Sequence, residues 1–262
     1  MIDKGEIAKF ARELVVAEDE RKPIDPITER AELSIEDAYK IQLEVVEMKK
    51  RRGEKVIGKK IGLTSKRMQQ ALGVYQPDYG HIIDKLIIGE GCPILLSELI
   101  QPKIEVEIVF ILKEDLTGPG VTAAKVLACT MGLLPAFEVI DSRIKDWKIK
   151  IQDTIADNAS IGRVILGSPL SNVYGIDLRS VGVVVRKNGE VIDTAAGAAV
   201  LGNPVESVAW LANKLSEHGV RLNAGEIVLS GSLIAATDIR EGDVIQAAFG
   251  CGLGSVTTCV RK

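Results

Sequence analysis

Apolar positions recur every three to four residues over the first fifty positions and mostly every second residue thereafter, the change falling near Gly53. In SIEDAYKIQLEVVEMKKRRG, Ala38, Ile41, Val45 and Met48 lie on one helical face. Ser34 is placed to cap the first amides, basic residues crowd the last turn and Gly53 follows, so a helix is predicted from about Ser34 to Arg52, after an earlier amphipathic one. Beyond Gly53 the segments VIGKKIGL, LIIGEG, KIEVEIVFIL, AFEVI and RVILG predict strands, and EIVLSGSL, DVIQAAF and GSVTTCV predict three more at the end. Asn188-Gly189 between β-branched runs predicts a hairpin with a type I′ turn. VTAAKVLACTMGLL predicts a helix starting near Val121. NPVESVAWLANKLSEHG predicts another, capped by Asn203, opened by Pro204, with Val205, Val208, Ala212 and Leu215 as its core stripe and Gly219 as terminator. The expected organisation is an N-terminal helical portion, 1–53, and a β-rich body, 54–262, with too few helices for a doubly wound sheet.

Composition narrows the function classes. The 262 residues are 46% hydrophobic, enough for a sizeable core, and the formal charge of −3 is spread without blocks, which gives no footprint for nucleic acid or an anionic membrane surface. No apolar run approaches the roughly 18 residues that span a bilayer, and the opening MIDKGEIAKFARELVV has no signal-peptide pattern, so a cytoplasmic protein is expected. Cys92, Cys129, Cys251 and Cys259 lack metal-type spacing and are expected as buried free thiols.

Candidate chemistry begins at PKIEVEIVF. In a strand, Ile104, Val106 and Ile108 share one face while Glu105 and Glu107 share the other. Two acids that close repel unless a cation lies between them, and hard divalent ions take carboxylate oxygens while keeping open positions. A solvated strand face is the alternative. LPAFEVI adds Glu138 in an apolar setting and raises the weight of the metal reading.

Other polar residues sit in unusual company. Lys59 and Lys60 interrupt a strand-like run, so one points inward or the strand lies at an edge; a buried lysine can stabilise enolate charge, whereas two solvated lysines would carry no function. Asp78, in the turn-like YQPDYGHIID, is a candidate general acid or base as well as an ordinary turn former. DTIADNASIG is expected as a loop. His218 falls at a helix C-terminus, where a cation is favourable, and His81 near Asp78 is expected to pack or face solvent rather than line a site. No serine-hydrolase elbow, phosphate loop or CxxC pair occurs.

In chain order, GKKIGLTS, LGVYQPDYGHIID, QPKIEVEIVFIL, PAFEVIDSRIKDW and DTIADNAS resemble the 2-keto-4-pentenoate hydratase and 4-oxalocrotonate decarboxylase group of the fumarylacetoacetate hydrolase superfamily, over nearly the whole chain. The resemblance implies an α+β fold, a mixed β-roll with a small N-terminal α/β portion. It implies Glu105, Glu107 and Glu138 as ligands of Mg²⁺ or Mn²⁺, Lys60 and Ser160 as substrate-pocket residues and Asp78 as a proton carrier. It also implies a small 2-oxo or 2-hydroxydienoic acid substrate and a homo-oligomer, associated with the pathway's partner enzyme. Asp78 and SVAWLANKL favour hydration of 2-hydroxypenta-2,4-dienoate to 4-hydroxy-2-oxopentanoate. DSR at Asp141–Arg143 and SELIQPK lean toward decarboxylation of 4-oxalocrotonate (2-oxo-3-hexenedioate). A non-catalytic partner subunit is the third possibility, against which stands the retention of three acids with Lys60 and Asp78.

Overall fold

Both opening helices are fixed by reciprocal caps. The Asp3 carboxylate accepts from Glu6 N at 2.8 Å and starts α1 (Lys4–Glu20); the Ser34 hydroxyl accepts from Asp37 N at 3.0 Å and starts α2 (Ile35–Arg51). Their apolar faces, among them Phe10, Leu14, Ile41 and Val45, enter the same hydrophobic cluster as the central strands. In the computed structural model, which describes residues 2–71 and 73–262, the chain continues through β1 (Val56–Gly62), α3 (Lys66–Ala71), β2 (Asp78–Ile83), β3 (Ile87–Ile88), β4 (Pro93–Leu95), β5 (Lys103–Leu112), α4 (Ala123–Cys129), β6 (Thr130–Ile140), α5 (Ile151–Ala156) and β7 (Ile161–Leu166). The hairpin β8 (Gly182–Lys187) and β9 (Glu190–Ala196), then α6 (Pro204–Ser216), β10 (Ile227–Leu229), β11 (Thr237–Asp238), β12 (Val244–Phe249) and β13 (Gly254–Arg261), complete it.

The strands form two sheets. The larger runs β2-β1-β10-β5-β6-β7-β3, with β11 also on β5; the smaller runs β4-β13-β12-β8-β9. Parallel pairs (β1 with β10, β3 with β7) and antiparallel pairs mix within one sheet. The fold is α+β, a mixed β-roll, as expected. On β5 the alternation sends Ile104, Val106, Ile108 and Phe110 into the main core, each at most 1% exposed. The opposite face carries Glu105 and Glu107, then Val109, which joins a second cluster with Ala136, Val164 and Leu229. The Asn188-Gly189 turn has positive φ at both positions, 56° and 89°, as a type I′ turn requires, and Asn203 caps α6 through Val205 N with Pro204 first in the helix.

Four expectations are corrected. The helix near Val121 runs only from Ala123 to Cys129; Thr130 to Ile140 is strand, because the β5 partner pairs all the way to Thr130 and tertiary pairing outweighs local propensity. YQPDYGHIID is turn only as far as Pro77, and Asp78–Ile83 is a fully buried strand laid antiparallel on β1. DTIADNAS is mostly helical rather than a loop, since Asp153 bonds Lys150 N and also ties α5 to Thr28. All four cysteines are free, but only Cys129 is buried; Cys92 and Cys251 sit exposed in turns and Cys259 is half-buried. No helix among the described residues is long and apolar enough to cross a membrane.

Candidate active site

The β5–β6 register places Glu105 directly opposite Glu138, with Glu107 one step further along the same face opposite Ala136. One oxygen from each acid lies within 4.8 Å of the others. At an effective dielectric of about 20, two ionised carboxylates at that spacing repel by about 3 kcal/mol, and here three pairs do so. Burial pushes Glu105 up to about 7, with Glu138 adding to the rise, and burial with the same neighbours lifts Glu107 well above the usual carboxylate range. Glu107 Oε2 accepts from Gly231 N at 2.7 Å, whereas the fully buried Glu138 has an ammonium 3.0 Å from Oε1 and no hydrogen-bond partner among the described residues at Oε2. A buried carboxylate oxygen without a partner, converging with two more acids, makes a donor set that suits a hard divalent cation.

Lys60 is the cation the fold itself supplies. Its Nζ lies 3.0 Å from Glu138 Oε1 and donates to Ala159 O at 2.8 Å. Burial opposes its charge, but Glu138, Asp78, Glu105 and Glu107 outweigh burial and raise its pKa. One lysine contacting one acid does not offset three. The sequence left open one inward lysine, an edge strand or two solvated lysines; both are buried, Lys59 on the opposite face beside Glu226 at 3.5 Å.

Asp78 joins Lys60 through the β1–β2 pair, where Gly62 faces Asp78 and Gly80 faces Lys60. Both glycines are required by space: a Cβ on Gly62 would come within 2.1 Å of Asp78 Oδ1, and one on Gly80 within 2.6 Å of Asn158 O. Burial lifts the Asp78 carboxyl to about 6, Lys60 opposing and Glu138 adding to the shift, and its Oδ1 has no hydrogen-bond partner. Ser160 lies at the end of α5 in a turn where Asn158, Ala159 and Ser160 all have positive φ, between 51° and 55°. Its hydroxyl is 3.3 Å from Asp157 Oδ2 and 3.4 Å from Thr154 Oγ1.

Lys60, Asp78, Glu105 and Ser160 line one cavity of about 380 Å³ together with Trp147, Ile149, Ile234 and Lys103. Glu138 reaches it through Lys60, and Glu107 lies beside Glu138. All six residues singled out from the sequence therefore meet in one place. His81 is not among them: it lies on the other face of β2 with its Nδ1 3.1 Å from Gln42 Oε1, buried, its pKa depressed to about 3 chiefly by desolvation. His218 is exposed just beyond α6, as expected. Trp147, Lys103 and the buried Arg143–Asp157 pair were missed. An arginine inside the apolar run EVIDSRI was the available signal for the last of these.

Known proteins resemble the chain over most of its length. The family model for the fumarylacetoacetate (FAA) hydrolase C-terminal domain matches residues 69–261. A 2-hydroxypent-2,4-dienoate hydratase of Pseudomonas putida is 52% identical over 84% of this chain and 100% of its own length. A 4-oxalocrotonate decarboxylase of Pseudomonas sp. (strain CF600) is 41% identical over 98% and 97%. Among solved structures, the 4-oxalocrotonate decarboxylase of Pseudomonas putida G7, complexed with magnesium and adipate, superposes with a TM-score of 0.96 at 39% identity, covering 99% of both chains. On sequence and fold together, the chain belongs to the fumarylacetoacetate hydrolase family.

Proposed function

We propose that the protein is a divalent-metal-dependent hydro-lyase that converts 2-hydroxypenta-2,4-dienoate to 4-hydroxy-2-oxopentanoate. The observation that carries this is Asp78, a buried carboxyl held near 6, in one cavity with Lys60 and the acid cluster. Hydration needs such a group, since one proton must move from the 2-hydroxyl to the distal carbon and another must leave the attacking water. Decarboxylation needs no base, because the departing carboxylate is already ionised. The higher identity to the Pseudomonas putida hydratase points the same way.

Glu105, Glu107 and Glu138 would hold Mg²⁺ or Mn²⁺, whose chemistry in such a site is Lewis acidity toward a 2-oxo carboxylate. Lys60, kept charged by the acids around it, faces the 2-oxygen and stabilises enolate charge there. Asp78 takes the 2-hydroxyl proton and returns it at C5, the far end of the diene; it then accepts a proton from the water whose oxygen adds at C4 and delivers that proton to C3, which collapses the enolate to the 2-oxo product. The Ser160 hydroxyl orients the substrate carboxylate, and the apolar lining of Trp147, Ile149 and Ile234 limits bulk water. The reading includes a homo-oligomer in the cytoplasm, a setting in which free thiols persist.

One observation favours decarboxylation of 4-oxalocrotonate instead: Lys103, on the same face of β5 as Glu105 and in the cavity lining, is a cation for a distal carboxylate, although Asp238 contacts it at 3.2 Å. Purified protein given Mg²⁺ and each substrate in turn separates the two. Consumption of the dienoate without CO₂ release from 2-oxo-3-hexenedioate is expected. CO₂ release with the dienoate untouched overturns the hydratase assignment.

A further inference from the structure

Behind the cavity, a second charged group stands apart from the acid cluster and meets the cavity wall through Ser160. Arg143 and Asp157 are 4% and 1% exposed. Arg143 Nε donates to Asp157 Oδ1 at 2.5 Å, its Nη1 to Asp141 O at 2.6 Å and Ile161 O at 2.8 Å, and its Nη2 to Asp157 O at 2.5 Å. Asp157 Oδ2 accepts from Arg143 N at 3.0 Å, Ser142 Oγ at 3.3 Å and Ser160 Oγ at 3.3 Å. The guanidinium thus grips the chain on both sides of Asn158–Ser160, at the carbonyls of Asp157 and Ile161. Those three intervening residues are the ones in the left-handed region, which is strained for an L-residue. The strain has a use: the turn aims Ala159 O at Lys60 Nζ and puts Ser160 in the cavity wall. Glu18 of α1 and Lys49 of α2, themselves paired at 2.5 Å, close the outer side of the same small space that Arg143 and Asp157 line.

We propose that Arg143 and Asp157 are positioning residues for the reaction, clamping the Asn158–Ser160 turn in its left-handed conformation so that Ala159 O orients the Lys60 amine and Ser160 meets the substrate. The clamp's effect on turnover rests on the function proposed above; its effect on ligand binding does not. The acid cluster on β5 and β6 lies outside the turn, so the two can be read separately.

The test uses Arg143→Lys, which keeps the charge and loses the planar fork, and the double variant Arg143→Lys/Ala159→Gly, since glycine adopts positive φ without the Cβ penalty. Mg²⁺ binding and the binding of 2-oxopentanoate to the Mg²⁺-loaded protein are measured by calorimetry, with kcat alongside. Arg143→Lys is expected to weaken 2-oxopentanoate binding and lower kcat by about tenfold or more each, as a misaligned site does. Mg²⁺ affinity is expected to stay within about a factor of two, and Ala159→Gly to recover part of both losses. Binding and kcat unchanged, Mg²⁺ affinity falling in parallel, or no recovery in the double variant overturns the proposal. Should Arg143→Lys fail to fold, Ser142→Ala, which removes a hydroxyl bond to Asp157, is expected to give the same pattern at smaller amplitude. If the wild type binds 2-oxopentanoate yet turns over neither substrate, the hydratase assignment falls and the clamp is still decided by binding.

Discussion

Glu138 shows what the site demands of single residues. It is fully buried, it faces two further acids, and its one cationic contact among the described residues is Lys60. A buried charge with so little compensation is tolerated when the surroundings need it for another partner. The same crowding makes ion binding pH-dependent. Burial and Glu138 hold Glu105 at about 7, above its ordinary 4.5, and Glu107 is also raised. A raised carboxyl keeps a proton in the folded chain that the unfolded chain has released, so these groups cost stability as pH rises from the unfolded value through about 7. A cation displaces those protons, and its stabilising effect therefore grows across that window. The gain in thermal midpoint on adding Mg²⁺ is expected to be larger at about pH 8 than at about pH 5.5, and a pH-independent gain contradicts this. Pairing the measurements with and without Mg²⁺ at each pH cancels His81, whose depressed pKa costs stability in the opposite direction, as pH falls below its ordinary 6.5.

At the level of elements, the site is a product of strand register. Period-two alternation in KIEVEIVF was legible in the sequence, and so was the shared face of Glu105 and Glu107. That Glu138 stands opposite Glu105 was not, because pairing between residues so far apart in the chain depends on where β6 begins, and Thr130–Leu134 read as the tail of a helix. Asp78 was legible as a residue but not as part of a strand. Its place beside Lys60 depends on Gly62 and Gly80, which a sequence shows only as small residues. The Arg143–Asp157 clamp was illegible for a different reason: most of the Arg143 bonds end on backbone carbonyls, which leave no trace in side-chain pattern. The two glycines make separable predictions. Gly62→Ala pushes only against the end of the Asp78 side chain, so kcat is expected to fall while thermal stability changes little. Gly80→Ala pushes against the Asn158 backbone and is expected to cost about 1–3 kcal/mol in denaturant unfolding as well as activity. Equal stability losses in the two variants would contradict this difference.

Across the whole molecule, one cavity draws on β1, β2, β5, β6, α5 and the loop before β11, so the β-roll brings to one point residues from Lys60 to Ala236. The N-terminal helices lie outside the cavity but share the main core with those strands, and α2 anchors β2 and α5 through Gln42, which donates to Tyr79 O and Ile155 O. The central claim is that the acid cluster on β5 and β6 serves the hydration through a divalent cation. The most direct measurement strips the purified protein with chelator and follows loss of the dienoate absorbance as Mg²⁺ is titrated back, in the wild type and in Glu138→Gln. Turnover restored by Mg²⁺ in the wild type, and reduced by about a hundredfold or more in Glu138→Gln at saturating Mg²⁺, is the expected result. Full turnover by the chelated wild type, or by Glu138→Gln, would contradict it.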